Sequence, residues 1–196
     1  MSVLFQITDR ATLGEEALFD RVRRAAAPLA IQVRDKDLDE ASRFDLARRL
    51  LAAARPLGHR VIMGGAFEHA RGLDVDGVHL VASRAREIRA AKSAFRFVSV
   101  ACHDPSEVER AAGEGADAVL VSPVFASPGK GAPVGLAALE QARAVVEGQG
   151  ASCSVVALGG IDPSNANACL AAGAHAVAAI RADLVAWARA LGSTLT

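Results

Sequence analysis

The sequence predicts a single-domain α/β fold, a (β/α)8 TIM barrel that spans residues 1–196. Short apolar segments of strand type alternate eight times with segments of helical periodicity. The helical segments are apolar on one side, as is typical of helices that pack on a sheet. Glycines stand where helices must end before the next strand. An open doubly wound sheet is the alternative, but no nucleotide-binding glycine motif follows the first apolar segment.

The predicted strands are short and are bounded by glycine, proline, aspartate or serine. They comprise residues 4–8, 29–33, 60–63, 77–80, 97–100, 118–122, 154–158 and 176–180. Parallel strands of a barrel are buried on both faces, which explains why the run Val155-Val156-Ala157-Leu158 does not alternate between apolar and polar residues.

The predicted helices carry apolar and charged residues on opposite faces. Residues 41–54 show this pattern, with Phe44, Ala47, Leu50 and Leu51 on one face and Arg43, Asp45, Arg48 and Arg49 on the other. Asp104-Pro105 and Asp162-Pro163 each place a capping side chain before a proline. These two pairs predict helices that begin directly after the fifth and seventh strands.

A weak internal repeat precedes the fourth, sixth and eighth strands. Its copies are Val75-Asp76-Gly77-Val78, Ala116-Asp117-Ala118-Val119 and Ala174-His175-Ala176-Val177. Gly115 and Gly173 stand directly before the last two copies and supply the left-handed conformation that ends a helix. The repeat therefore marks the return from helix to strand.

Composition excludes several classes of function. The chain carries 22 Lys+Arg and 22 Asp+Glu residues, and a net charge of zero argues against binding to nucleic acid or to a membrane surface. Cys102, Cys153 and Cys169 form no even disulfide framework, which predicts free thiols in a reducing compartment. The first residues do not resemble a signal peptide and no stretch has the length of a membrane helix, so a cytoplasmic protein is expected.

Polar residues cluster at the carboxyl ends of the predicted strands, where barrels of this kind place their active sites. Gln32 and Arg34 alternate along the second strand and share one face, which Lys36 joins if the backbone stays extended. These side chains predict a ligand-binding face. A solvated run of charge is the alternative.

Two further strand ends predict an anion site. Gly159-Gly160 follows the seventh strand and Arg181 follows the eighth. Loops at these places commonly bind phosphate through backbone N–H groups, and glycine lets an anion approach without a Cβ in the way. A simple tight turn and a solvated arginine are the alternatives.

His103, at the end of the fifth strand, is the candidate acid or base because imidazole titrates near neutral pH. A dyad with Cys102 is rejected, since neighbours in an extended segment point to opposite sides.

His79 is predicted to be a packed core residue. The long loop over residues 122–131 is a candidate lid, and the histidines and cysteines show no metal-ligand spacing.

Several segments together resemble one known family. They are Leu4-Phe5-Gln6-Ile7-Thr8-Asp9, Ile31-Gln32-Val33-Arg34-Asp35-Lys36, Asp76-Gly77-Val78-His79-Leu80, Ser122-Pro123-Val124-Phe125 with Lys130 and Gly135, and Val156-Ala157-Leu158-Gly159-Gly160-Ile161. In this order and spacing they resemble the signature stretches of thiamine phosphate synthase and its sister, thiazole tautomerase. The resemblance covers nearly the whole chain.

The resemblance implies a TIM barrel of thiamine biosynthesis that acts on small phosphorylated heterocycles and allows a homodimer. The synthase joins hydroxymethylpyrimidine diphosphate to a thiazole phosphate with Mg²⁺ and releases pyrophosphate, whereas the tautomerase moves a proton on a thiazole carboxylate phosphate. The candidate catalytic residues are His103, identified by its place at a strand end, and Lys130, which the resemblance places near the ligands. The implied substrate-binding residues are Gln32, Arg34, Lys36, Ser127 and Gly135, and the implied phosphate-binding residues are Gly159, Gly160, Ile180 and Arg181.

The sequence departs from the synthase pattern where that pattern binds its metal. Counted back from Asp76, the family's Asn-Asp-Arg falls on Gly64, Gly65 and Ala66, and the second acidic ligand is expected near Ser83. The serine two residues before His103 is Ala101, and a loop threonine is Gly129. Hard cations need oxygen ligands, so no metal-binding residue is assigned. The synthase is the first hypothesis, and a metal-independent tautomerase or a non-catalytic binder of thiazole or thiamine phosphate is the alternative.

Overall fold

Parallel strands close into a barrel in the order in which they occur along the chain. A computed structural model describes residues 4–181, 183, 186, 187 and 191. The strands are β1 (Leu4–Ile7), β2 (Ala30–Val33), β3 (Arg60–Gly64), β4 (Gly77–Leu80), β5 (Val98–Cys102), β6 (Ala118–Val121), β7 (Ser154–Leu158) and β8 (Ala176–Ala179). β1 pairs with both β2 and β8, which closes the barrel. The predicted (β/α)8 fold is confirmed.

Helices lie between consecutive strands. They are α1 (Arg10–Leu13), α2 (Glu15–Arg24), α3 (Glu40–Ala54), α4 (Phe67–Ala70), α5 (Ile88–Lys92), α6 (Pro105–Gly113), α7 (Ala137–Gly148) and α8 (Ala166–Ala171), with short 3-10 helices at Arg55–Leu57 and Ala82–Glu87. Within these residues, no helix combines the length and the apolar character that a membrane span requires.

The two predicted proline-led helix starts have different outcomes. Asp104 caps α6 as predicted, because its carboxylate accepts a hydrogen bond from Glu107 N at 2.9 Å. The prediction for Asp162-Pro163 is wrong, since α8 begins only at Ala166. The Asp162 carboxylate instead accepts from Ser164 N at 2.7 Å, so that these residues form a turn before the helix.

Side chains inside the barrel alternate with side chains that face the helices. The interior cluster consists of Phe5, Ile7, Ala30, Ile62, Ala118, Leu120, Val156, Ala176 and Ala178. Strand register places Gln32 beside Ile7 and His79 beside Gly64 on this inward face. The barrel interior is therefore apolar at its centre and polar toward the carboxyl ends of the strands.

The internal repeat acquires a structural role at the opposite end of the barrel. Asp76 accepts a hydrogen bond from Val61 N at 2.7 Å, and Asp117 accepts one from Val98 N at 2.7 Å. His175 Nδ1 accepts from Val155 N at 2.9 Å in the same way. Each side chain thus caps the start of the preceding strand, and we call these three bonds the floor clasps. They satisfy backbone N–H groups that the strand ladder leaves unpaired.

The three cysteines are free and buried, as predicted. β5 is longer than predicted and ends at Cys102, which packs in the outer core while His103 beyond it is exposed. Burial raises the pKa of the Cys102 thiol to about 12. A protonated, buried thiol is no nucleophile, which agrees with the rejection of a Cys102–His103 dyad.

Candidate active site

The end of β2 brings a buried amide and a guanidinium to the carboxyl rim of the barrel. Gln32 is 4% exposed and faces the interior, whereas Arg34 is half-buried and makes no ion pair with the residues that the structure describes. The prediction that Lys36 shares their face is wrong: β2 ends at Val33, the chain turns at Lys36, and the lysine side chain is exposed.

His79 lies beside this group, inside the barrel. Its Nδ1 is 3.0 Å from Ser99 Oγ, and both side chains are buried. Burial lowers the pKa of His79 to about 4, and the positive charge of Arg34 adds to the effect. His79 is therefore a neutral, packed histidine at neutral pH, as the sequence predicted.

The lowered pKa of His79 predicts an acid-sensitive fold. The folded chain binds fewer protons than the unfolded chain between pH 6.5 and about 4, so the free energy of unfolding should fall by about 3 kcal/mol as the pH falls across this range. Urea titrations at several pH values would measure the slope of the free energy of unfolding against pH. His79→Asn should flatten it, and the exposed control His69→Gln should leave it unchanged. An equal slope in His79→Asn would contradict the assignment.

His103 is exposed at the end of β5 and is oriented by two hydrogen bonds. Its Nδ1 lies 2.6 Å from the carbonyl oxygen of Ser122, and its backbone N–H donates to Glu107 Oε2 at 2.7 Å. A carbonyl oxygen only accepts, so Nδ1 carries the proton. In the neutral ring Nε2 then holds the lone pair, as a general base at this rim requires.

The loop between β6 and α7 carries Ser127, Lys130 and Gly135, and its base is fixed to the barrel. Val124 N donates to Leu158 O at 2.9 Å, and Gly135 N donates to Val124 O at 3.1 Å. Lys130 closes a turn through its backbone N–H to Ser127 O at 3.1 Å, and its side chain is exposed. The predicted lid is therefore held at both ends of its base.

Gly159 and Gly160 pack against this loop. Both have positive φ angles of 96° and 63°. A Cβ on Gly159 would lie 2.7 Å from Pro123 Cα, and a Cβ on Gly160 would lie 2.6 Å from Ala126 O. We expected glycine at these two positions because it leaves an open approach for an anion. That reason is wrong, because the β6–α7 loop fills the space that a Cβ would take.

This close contact predicts a large difference between two glycine substitutions. Gly159→Ala should lower the free energy of unfolding by about 3 kcal/mol, because it combines a left-handed backbone with a backbone clash. Gly129→Ala is the matched control: its φ is 70°, but nothing lies within 4 Å of its Cβ position. We expect a cost of about 1 kcal/mol there. Equal costs in urea denaturation would show that the contact with Pro123 is unimportant.

The end of β8 is tied to β1. Gln6 Nε2 donates to Ile180 O at 2.8 Å, and Arg181 Nε donates to Asp9 Oδ2 at 2.9 Å. The Arg181 side chain is 61% exposed and its guanidinium is engaged by Asp9. A contribution of this loop to anion binding therefore rests on its backbone more than on the arginine charge.

The positions that carry metal ligands in the synthase pattern do not accept such side chains here. A Cβ on Gly64 would lie 2.8 Å from Val33 O, and Gly65 has a φ of 117°. An asparagine or aspartate at these places would need the backbone to move. The turn after β3 is thus built for glycine.

Glu68 and Glu87, the acidic residues that follow these positions in the sequence, are paired with Arg84. Arg84 Nη2 donates to Glu68 Oε1 at 2.7 Å, and Arg84 Nε donates to Glu87 Oε1 at 2.8 Å. Hydrogen bonding to Arg84 lowers the pKa of Glu68. Among the described residues no three His, Cys, Asp or Glu side chains group as metal ligands. These residues do not fit a Mg²⁺ ion, which needs several free oxygen ligands.

Sequence reasoning placed the right strand ends at the rim but missed the polar side chains that hold them. Because all strands are parallel, Gln32, Arg34, His103, Lys130 and Gly159 lie at the same end of the barrel. Thr8, Asp9 and Asp35 were expected at strand ends but were given no contact, and Gln6 and Ser99 were not singled out. Their signal was a polar residue within or directly after an apolar run.

The comparisons with known proteins agree with this architecture. The family model described as thiamine monophosphate synthase matches residues 4–182. The thiamine-phosphate synthase of Roseiflexus castenholzii is 35% identical over 188 residues, which cover 92% of this chain and 80% of that protein. The thiamine-phosphate synthase of Moorella thermoacetica is 31% identical, with 93% and 90% covered.

One solved structure shares the fold over almost its full length. The thiamine phosphate pyrophosphorylase from Pyrococcus furiosus superposes with a TM-score of 0.78 at 21% identity, covering 98% of this chain and 96% of that one. At this identity the likeness supports the barrel alone. The family model and the two sequence relatives go further, and the chain belongs to the thiamine monophosphate synthase family.

Proposed function

We propose that this protein is a transferase of thiamine biosynthesis that forms thiamine phosphate from hydroxymethylpyrimidine diphosphate and thiazole phosphate. The observation that carries the proposal is the half-buried Arg34 guanidinium, which follows the buried Gln32 at the end of β2 and has no ion-pair partner among the described residues. An unpaired cation at a barrel mouth is suited to an anionic substrate. The resemblance to thiamine phosphate synthase implies that this anion is the pyrimidine diphosphate.

The reaction needs a stabilised leaving group and aligned reactants. The thiazole nitrogen donates its lone pair to the exocyclic methylene of the pyrimidine while the C–O bond to the diphosphate breaks. The electron pair of that bond leaves with pyrophosphate, and the thiazole nitrogen becomes cationic. Arg34 stabilises the negative charge that develops on the pyrophosphate, and the exposed ammonium group of Lys130 adds to this stabilisation. Gln32 orients the pyrimidine through hydrogen bonds.

The thiazole phosphate binds at the ends of β7 and β8 in this proposal. Gly160 and Ile180 flank the rim there, and the Gly160 and Ile180 carbonyl oxygens are held by Asn165 and Gln6. Fixing the carbonyls orients the following backbone N–H groups, which include that of Arg181. Ser127 and Gly135 are the candidate substrate contacts from the β6–α7 loop, which packs beside Gly159 and Gly160. Comparing affinities for the phosphorylated and dephosphorylated thiazole tests this placement, and equal affinities would contradict it.

Formation of thiamine phosphate by the purified protein tests the proposed function. Because the rim residues do not fit Mg²⁺, we expect condensation to be slow and to respond little to Mg²⁺ or to a chelator. Mn²⁺ binding, followed by electron paramagnetic resonance, provides a readout that does not depend on turnover. Robust formation that a chelator abolishes would show that other residues bind the metal. No product under any condition would contradict the synthase assignment.

A thiazole tautomerase is the second candidate, and the geometry of His103 supports it. Proton transfer requires an acid/base and a phosphate site but no metal. The bond between His103 Nδ1 and the Ser122 carbonyl leaves Nε2 as the proton acceptor of the neutral ring. Conversion of thiazole carboxylate phosphate without the pyrimidine substrate would distinguish this function from condensation. Binding of the phosphates without turnover would identify a non-catalytic member of the family.

A further inference from the structure

We propose that Thr8 and Asp35 are positioning residues that fix the Arg34 guanidinium at the barrel mouth. This inference rests on the role of Arg34 in the proposed function. Thr8 and Asp35 are 1% and 4% exposed, although both lie at the polar rim. The Thr8 hydroxyl donates to Asp35 Oδ2 and accepts from Arg34 N at 2.9 Å. The hydroxyl thus connects the buried carboxylate to the Arg34 backbone.

The link continues the strand pairing beyond the last residue of β2. Thr8 N donates to Gln32 O at 2.9 Å, which is the final bond of the ladder between β1 and β2. Beyond this bond the Thr8 side chain continues the pairing, because its hydroxyl oxygen accepts a hydrogen bond from Arg34 N. The Arg34 backbone therefore stays paired with the end of β1, although Arg34 lies beyond the last residue of β2. The direction of its side chain follows from that pairing.

The Asp35 carboxylate connects the Thr8 hydroxyl to the backbone that follows β1. Its Oδ1 accepts from Arg10 N at 2.8 Å, so that one side chain joins the ends of β1 and β2. The Arg10 guanidinium pairs with Asp37 instead, and the described residues place no cation on Asp35. A buried carboxylate without a cation is costly, and an apolar pair would serve stability better. The arrangement is explained by the need to orient Arg34.

Substitutions at Thr8 separate a positioning role from a structural one. Thr8→Val keeps the shape but removes the hydroxyl, and we expect kcat/KM for thiamine phosphate formation to fall about tenfold through misplacement of Arg34. Thr8→Ser restores the hydroxyl and should restore kcat/KM. A merely structural role would lower Tm and the active fraction while leaving KM unchanged, and that result would overturn the proposal.

The decisive test is a double-mutant cycle with Arg34→Ala. If Thr8 acts through Arg34, Thr8→Val should have no further effect on kcat/KM once Arg34 is alanine. Additive losses would overturn the proposal. Asp35→Asn provides a second variant for the same cycle if Thr8→Val does not fold. Asp37→Asn, which removes an exposed carboxylate two residues away, is the matched control and should behave as the wild type.

Calorimetry with inorganic pyrophosphate distinguishes failure of this inference from failure of the proposed function. Weaker pyrophosphate binding in both Arg34→Ala and Thr8→Val, in a protein that forms no thiamine phosphate, would support the positioning role and contradict the synthase function. Weaker binding in Arg34→Ala with unchanged binding in Thr8→Val would overturn the positioning role alone. Unchanged binding in Arg34→Ala would contradict both.

Discussion

Replacing Arg34 by alanine is expected to lower kcat/KM for thiamine phosphate formation by about 10³-fold. The Arg34 guanidinium is half-buried at the rim and has no ion-pair partner among the described residues, and its charge helps to lower the pKa of His79. Pyrophosphate departure places negative charge on the leaving group, which a fixed cation at the rim stabilises. Steady-state kinetics with varied pyrimidine diphosphate would measure the loss.

Two controls define what the Arg34→Ala result means. Arg48→Ala removes the same charge from an exposed position on α3 and should leave kcat/KM unchanged. Arg34→Lys retains the charge but loses the planar pair of donors, so an intermediate loss is expected. Wild-type kinetics in Arg34→Ala would show that the diphosphate binds elsewhere on the rim.

Replacing His103 by glutamine is expected to lower tautomerase turnover by about 10²–10⁴-fold, the range for loss of a general acid or base. Glutamine preserves a side chain that can donate to the Ser122 carbonyl, but it offers no titratable nitrogen at the rim. Ligand affinity should change little, because proton transfer and binding use different groups. Single-turnover measurements and calorimetry on the same preparation would measure turnover and ligand affinity separately.

The control for His103 is a second exposed histidine, His69 on α4. His69→Gln removes an imidazole that pairs with Glu40 on the surface, and it should leave turnover unchanged. Equal turnover in wild type and His103→Gln would remove the basis of the tautomerase assignment. A loss of affinity as large as the loss of turnover would make His103 a binding residue.

The repetitive part of the molecule could be predicted from the sequence, whereas the local departures could not. Strand and helix periods identified the barrel, and parallel connection then placed Gln32, Arg34, His103 and Gly159 at one end. The position of Lys36 failed because alternation predicts side-chain direction only while the backbone stays extended. Asp162-Pro163 failed because an aspartate can close a turn as well as cap a helix.

The glycine pair shows a different limit. An anion site or a tight turn was expected at Gly159 and Gly160, but what fills the space beside them depends on a loop that lies far away in the sequence. The buried Thr8–Asp35 pair was missed for the same reason: each residue is an ordinary loop residue until the neighbouring strand is placed beside it. Contacts across the barrel decide these positions, and a single sequence does not display them.

The floor clasps and the rim contacts differ in the length of chain that they join. The clasps connect residues 15, 19 and 20 positions apart, so each lies within one pair of consecutive strands. The bond between Arg181 and Asp9 spans 172 positions. By loop-closure entropy alone, that bond costs about 2 kcal/mol more to close than a clasp. The floor is therefore built from local pairs, while the proposed thiazole phosphate site lies beside a contact that forms only when the first and last strands of the barrel have paired.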